Sequence, residues 1–121
     1  MAEVLRFERF LRQAQQRRGT GSVRRRQVYF DRGELQLLVG LYSENVMAGE
    51  WRDYAIDHFE SLALFSIFRR SQEQPLYVVA KRLASGGTYD YLVFESGQRR
   101  TVQSSLAGAL NFFRRRLKLV E

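Results

Sequence analysis

The sequence predicts an α+β fold in a single domain. The expected architecture is an antiparallel meander of four to five strands, a helix at about 32–48 buried on two sides, and an amphipathic helix at each end. Three observations predict it. The hydrophobic period is helical up to Gly49, switches to two from Trp51, and returns to helical after Ser104. The connections between the period-two segments are too short for parallel crossovers. A length of 121 residues, 45% hydrophobic and 27% charged, has room for one core and an ordinary globular composition.

Residues 3–17 read as the first helix. Val4, Phe7, Phe10, Leu11 and Ala14 share one arc, with Arg6, Arg9, Arg12 and Gln13 opposite. Gly19-Thr20-Gly21-Ser22 breaks it, so residues 1–26 are expected to form a basic helix and flexible arm, and 27–121 an α+β core ending in a basic helix. Gln27–Phe30 reads as a short strand. Asp31 is an N-cap with Glu34 three residues on, the spacing of a capping box. The helix that follows, Arg32–Ala48, is stopped by Gly49. It carries one stripe of Leu35, Leu38, Val39, Tyr42 and Val46 and a second of Leu37, Leu41 and Ala48. Two stripes predict burial on two sides: one on the sheet, the other under a terminal helix or a second subunit.

Strands are predicted at 51–59, 62–69, 76–82 and 88–95, with a fifth at 98–103. Glu60-Ser61, Ala84–Thr88 and Ser96-Gly97 are the turns, and Pro75 stands at a strand entrance, where a missing N–H is tolerated. Ser104 or Ser105 caps the last helix. Its apolar arc is Leu106, Ala109, Leu110, Phe113, Leu117 and Val120, while Phe112 and Leu119 fall on another side. Helices on one face of an antiparallel sheet would complete the fold.

Composition narrows the chemistry. With no Cys and one His, thiolate sites, disulfides and a His-pair metal site within one chain are excluded, and no cofactor or metal is expected. The longest apolar run, Leu76–Ala80, is too short for a transmembrane segment, and no signal-peptide segment follows Met1. A soluble cytoplasmic protein is expected. Gly19-Thr20-Gly21 lacks the third glycine of a dinucleotide fingerprint, and Ser61, Ser66 and Ser71 lack the glycines of a nucleophile elbow. His58 reads as a partly buried, hydrogen-bonded strand histidine. Asp53 and Asp57 share a strand face but stand roughly 13 Å apart at about 3.3 Å per residue, too far for a glycosidase pair. No catalytic residue is expected, and the reading is non-enzymatic.

Charge points to binding. The formal net charge is +7, with 18 Arg against 2 Lys. Residues 1–30 carry +6, residues 31–97 carry −4 and residues 98–121 carry +5. The basic clusters are Arg24, Arg25 and Arg26; Arg69 and Arg70; Arg99 and Arg100; and Arg114, Arg115 and Arg116. Guanidinium forks suit phosphate oxygens. Tyr89 and Tyr91, if on an exposed sheet face, would stack unpaired bases. The first expectation is therefore a small basic module that contacts nucleic acid or another anionic macromolecule. The alternative is a protein-interaction or assembly module, a homodimer or a subunit of a larger bacterial complex. Its interface would be Leu37, Leu41, Phe112 and Leu119.

The blocks VYFDRGEL at 28–35, AGEWRDYAIDH at 48–58, ALFSIFRR at 63–70 and PLY at 75–77 add a resemblance. Over about residues 28–77 the chain resembles a family of small alphaproteobacterial proteins known only as a domain of unknown function. The resemblance implies a bacterial intracellular protein and supplies no activity, cofactor or catalytic residue. Within these blocks the polar set Glu50, Arg52, Asp53, Asp57, Arg69 and Arg70 is what packing explains least. It is either a shared site or an ion-pair network.

Overall fold

Five strands joined by tight turns pair in sequence order into one antiparallel sheet, β1-β2-β3-β4-β5. The computed structural model describes residues 6–16, 27–47, 49, 51–69 and 74–118. The strands are β1 (Asp53–Phe59), β2 (Leu62–Phe68), β3 (Tyr77–Leu83), β4 (Tyr89–Glu95) and β5 (Gln98–Gln103). The helices are α1 (Phe7–Gln16), α2 (Arg32–Met47) and α3 (Leu106–Lys118). The fold is thus α+β with a meander sheet, as the change of period predicts.

Local chemistry sets the boundaries. Ser96 and Gly97 both hold positive φ, 50° and 85°, which is what a two-residue hairpin loop requires of β4–β5. Gly49, at φ 81°, donates its N–H to the Val46 carbonyl at 2.9 Å and ends α2. At the other end of α2 the capping box is formed in both directions. Glu34 N–H donates to Asp31 Oδ1 at 2.8 Å, and Asp31 N–H donates to Glu34 Oε1 at 2.9 Å. For α3 the cap is Ser105, whose Oγ accepts the Gly108 N–H at 3.0 Å.

The sheet is covered on both faces, which corrects the expectation of helices on one. The reason lies in its middle strands: Leu62–Ile67 of β2 are all buried, so each face needs a cover. One face presents Ala63, Phe65, Ile67, Tyr77, Val79 and Val93 to α2, α3, Val28, Phe30 and Trp51. The other presents Leu62, Leu64, Val78, Ala80, Leu92 and Phe94 to Phe7, Phe10 and Leu11 of α1. Phe10 and Phe7 meet the Phe94 ring at 5.0 and 5.4 Å between centroids.

Two further features differ from the expectation. Gln27–Phe30 is no strand: Val28 donates to the Phe59 carbonyl at 3.0 Å, at the end of β1, and no ladder follows among the described residues. The second stripe of α2 divides. Leu41 packs against the core with Leu35, Leu38 and Tyr42, whereas Leu37 stands 50% exposed.

Candidate anion-binding cleft

The Arg99–Arg100 pair is divided by an irregularity in β5. Val93 pairs with Thr101 but Phe94 pairs with Arg99, so Arg100 is an extra residue, a β-bulge. Strict alternation would send Arg100 to the face opposite Thr101. The bulge turns it back beside Thr101, on the α3 side of the sheet. Arg99 stays opposite Phe94, on the α1 side.

Helix α3 supplies the other wall. Gly108, Asn111, Phe112 and Arg115 follow each other at helical spacing and form one stripe. Together with Arg100, Thr101 and Gln103 they line an open cleft of about 350 Å³. Among the described residues no lining side chain is acidic. Glu95 meets Arg100 from outside the lining, at 3.5 Å through Nε. That is beyond ordinary hydrogen-bond length and leaves the guanidinium open to competition from an oxyanion. Gln103 donates to Thr101 Oγ1 at 2.9 Å, which orients its amide along the floor. Gly108 keeps the floor open, since a Cβ there would stand 3.1 Å from Ser105 Oγ and 3.3 Å from Gln103 Oε1.

Phe112 is not the stray side chain expected of an interface. It packs at ring distances of 5.3 Å from Phe113 and 6.2 Å from Tyr77, both near perpendicular, and lines the cleft. Leu41, the second expected interface residue, is taken up by the core. Leu37 is accessible, and Leu119 lies outside the described residues. Among the basic clusters, Arg114 is exposed but away from the cleft lining. Arg69 is exposed at the end of β2, three strands from β5 in the sheet order. Arg24, Arg25, Arg26 and Arg70 lie outside the described residues, as does the side chain of Arg116.

Tyr89 and Tyr91 do not form a shared exposed face for stacking bases: Tyr89 is exposed, but Tyr91 is not. Tyr91 is buried because α2 covers its side of the sheet, and its hydroxyl donates to Glu34 Oε2. Burial first, then this bond and the carboxylate's charge, raise the Tyr91 phenol far above its ordinary value. Glu34 also receives Lys81, whose Nζ donates to Glu34 Oε1 and to the Tyr29 carbonyl, both at 2.8 Å. Lys81 is only 6% exposed and stands 4.5 Å from the Tyr89 ring centre. Sequence reading passed over Lys81. The one available signal was a lysine at an inward position of a period-two strand, in step with Tyr77 and Val79.

The remaining polar candidates stay apart. Arg52, Asp53, Asp57 and Arg69 are exposed, and no ion pair joins them among the described residues. Asp53 accepts the Tyr54 N–H at 2.8 Å instead. Nearby Tyr42 has a raised phenol, through burial first and then the charge of Asp53. His58 is half-buried with its ring 4.6 Å from that of Tyr29. No helix among the described residues is long and apolar enough to cross a membrane.

Comparison with known families places the chain. The model of a family described as "Protein of unknown function (DUF2794)" matches residues 28–105, and the chain belongs to that family. The match includes Glu34, Lys81, Tyr91 and Arg100 and stops short of α3. Neither the curated proteins nor the solved structures give a match.

Proposed function

We propose that this member of the DUF2794 family is a non-enzymatic binding module for an anionic macromolecule, most simply nucleic acid. One observation carries the reading. Arg100 from an edge strand and Arg115 from a separate helix line the same cleft, whose described walls hold amide and hydroxyl groups and no carboxylate. Two arginines lining one opening suit a phosphate, whose oxygens a guanidinium can grip with two N–H groups. The net charge of +7 adds long-range attraction for the same partner. Arg114, exposed next to Arg115 on α3, would extend backbone contacts beyond the cleft.

The test is fluorescence anisotropy with labelled single- and double-stranded RNA and DNA, titrated across salt. The comparison protein is Arg100→Glu/Arg115→Glu, checked for folding by circular dichroism. The expected result is a linear fall of log affinity with log salt. The double variant should lose most of the affinity and flatten the slope by about 1.5–2, the loss of two phosphate contacts. Equal binding by the folded variant would sink the reading.

A second reading, an assembly module, is favoured by Leu37, an apolar side chain half exposed in the middle of α2, with Val46 also exposed further along that helix. It predicts a concentration-dependent mass by sedimentation that Leu37→Asp abolishes.

A further inference from the structure

We infer that the β5–α3 cleft takes one nucleotide unit with its base unstacked, so that the ligand is single-stranded rather than duplex nucleic acid. The inference rests on the phosphate reading of Arg100 and Arg115 and adds the role of the residues between them. A cleft of about 350 Å³ is at the small end of ligand sites and is concave. A duplex keeps its bases stacked inside and offers a convex backbone, which would touch the two arginines without filling the cleft. A single strand can splay a base into it.

The lining fits such a base. Phe112 is an aromatic wall on the cleft, and Tyr77 and Phe113 abut it at 72° and 83°. Those two rings are buried, so the Phe112 ring plane is fixed from the core side before any ligand arrives. Asn111 and Gln103 place amides at the walls, groups that pair with the donor and acceptor edge of a base. With Arg100 and Arg115 also in the lining, phosphate and base are recognised within one opening. The same chemistry would be met by a free mononucleotide or by one unit of a longer strand.

Isothermal titration and two-dimensional NMR of the full chain separate these cases. The probes are inorganic phosphate, AMP and UMP, a single-stranded hexamer, and a hairpin duplex of equal charge. The variants are Phe112→Leu, Asn111→Ala and Arg100→Gln/Arg115→Gln. The single strand should bind at least about 10-fold tighter than the duplex at equal salt and shift the side-chain amides of Asn111 and Gln103. Phe112→Leu should weaken single-strand binding by about 5- to 100-fold, the range of lost base stacking, and leave duplex and phosphate binding unchanged. Asn111→Ala, on an exposed position, gives the same test without touching the core. A hexamer that outbinds AMP and UMP assigns the site to a strand, and equal binding assigns it to a free nucleotide; both support a nucleotide site. Equal affinity for strand and duplex, both lost in the arginine variant, would overturn the inference and leave the phosphate reading standing. Binding of every probe untouched by the arginine variant would overturn both.

Discussion

Lys81 and Arg100 are both cations beside aromatic rings on the same side of one sheet, yet their surroundings give them opposite uses. Lys81 is enclosed. Its ammonium has the Glu34 carboxylate and the Tyr29 carbonyl at 2.8 Å, and the other Glu34 oxygen has Tyr91. Burial and these bonds close that cluster off from solvent. Arg100 and Arg115 line an open cleft, where Arg100 pairs with Glu95 at a long 3.5 Å and keeps 43% of its side chain exposed. Cations near aromatics therefore do not mark a binding site by themselves. What matters is whether the counter-charge encloses the cation, as Glu34 does for Lys81, or leaves it largely exposed, as Glu95 does for Arg100. The closed cluster ties the start of α2 to β3 and β4, and the open one faces solvent.

The largest effect that would test this contrast is on Lys81. Lys81→Met leaves the Glu34 carboxylate buried without its cation, and should cost about 3–5 kcal/mol in urea unfolding. Lys81→Met/Glu34→Gln removes both charges while keeping a capping side chain, so the double variant should be less destabilised than the single one. A single variant that unfolds at the wild-type midpoint would show that the cluster does not hold the fold.

The alkaline limb of stability comes next. The Tyr91 phenol titrates higher in the folded chain than its unfolded value of 10.0, so its contribution is fully present below that pH and is lost as pH rises above it. Stability measured by denaturant melts should fall above about pH 10, the ordinary tyrosine range. Tyr91→Phe should flatten that fall, leaving a residual slope from Tyr42, which is also raised. An unchanged slope in Tyr91→Phe would place the titration elsewhere.

Asp31→Ala removes one half of the capping box and should cost about 1 kcal/mol in the same melts. The smallest effect belongs to the open site. Arg100→Gln and Arg115→Gln should each move stability by no more than about 0.5 kcal/mol while weakening nucleic-acid binding. A large loss of stability there would make the cleft arginines structural, like Lys81, and erase the contrast.

Much of the fold was legible because its signals are local. Asp31 and Glu34 are three residues apart, Gly49 and Gly97 need only their own φ, and Phe65, Val79 and Val93 declare their face by alternation. The cover on both faces was readable in principle from the run Leu62–Ile67, apolar or small at nearly every position, although alternation alone obscured it. The candidate site was legible only as composition. Its basic clusters were visible, but not which members meet. The role of Lys81 was not legible locally, because its partner Glu34 is 47 positions away and Tyr91, the other partner of Glu34, is 57 positions from Glu34.

By itself, then, the sequence determined the three helices, the five paired strands and the turns between them, though not the unpaired state of Gln27–Phe30, since period, caps and glycine conformations act within a few residues of chain. Tertiary structure alone decided which charges are enclosed and which are presented. Alternation would have sent Arg100 away from Thr101; the pairing of Val93 with Thr101 and of Phe94 with Arg99 turned it back. The packing of Leu106, Ala109, Leu110 and Phe113 then fixed the rotation of α3 and set Arg115 on the same cleft. Strand register and helix docking are settled by the whole core at once, so no window of sequence contains them.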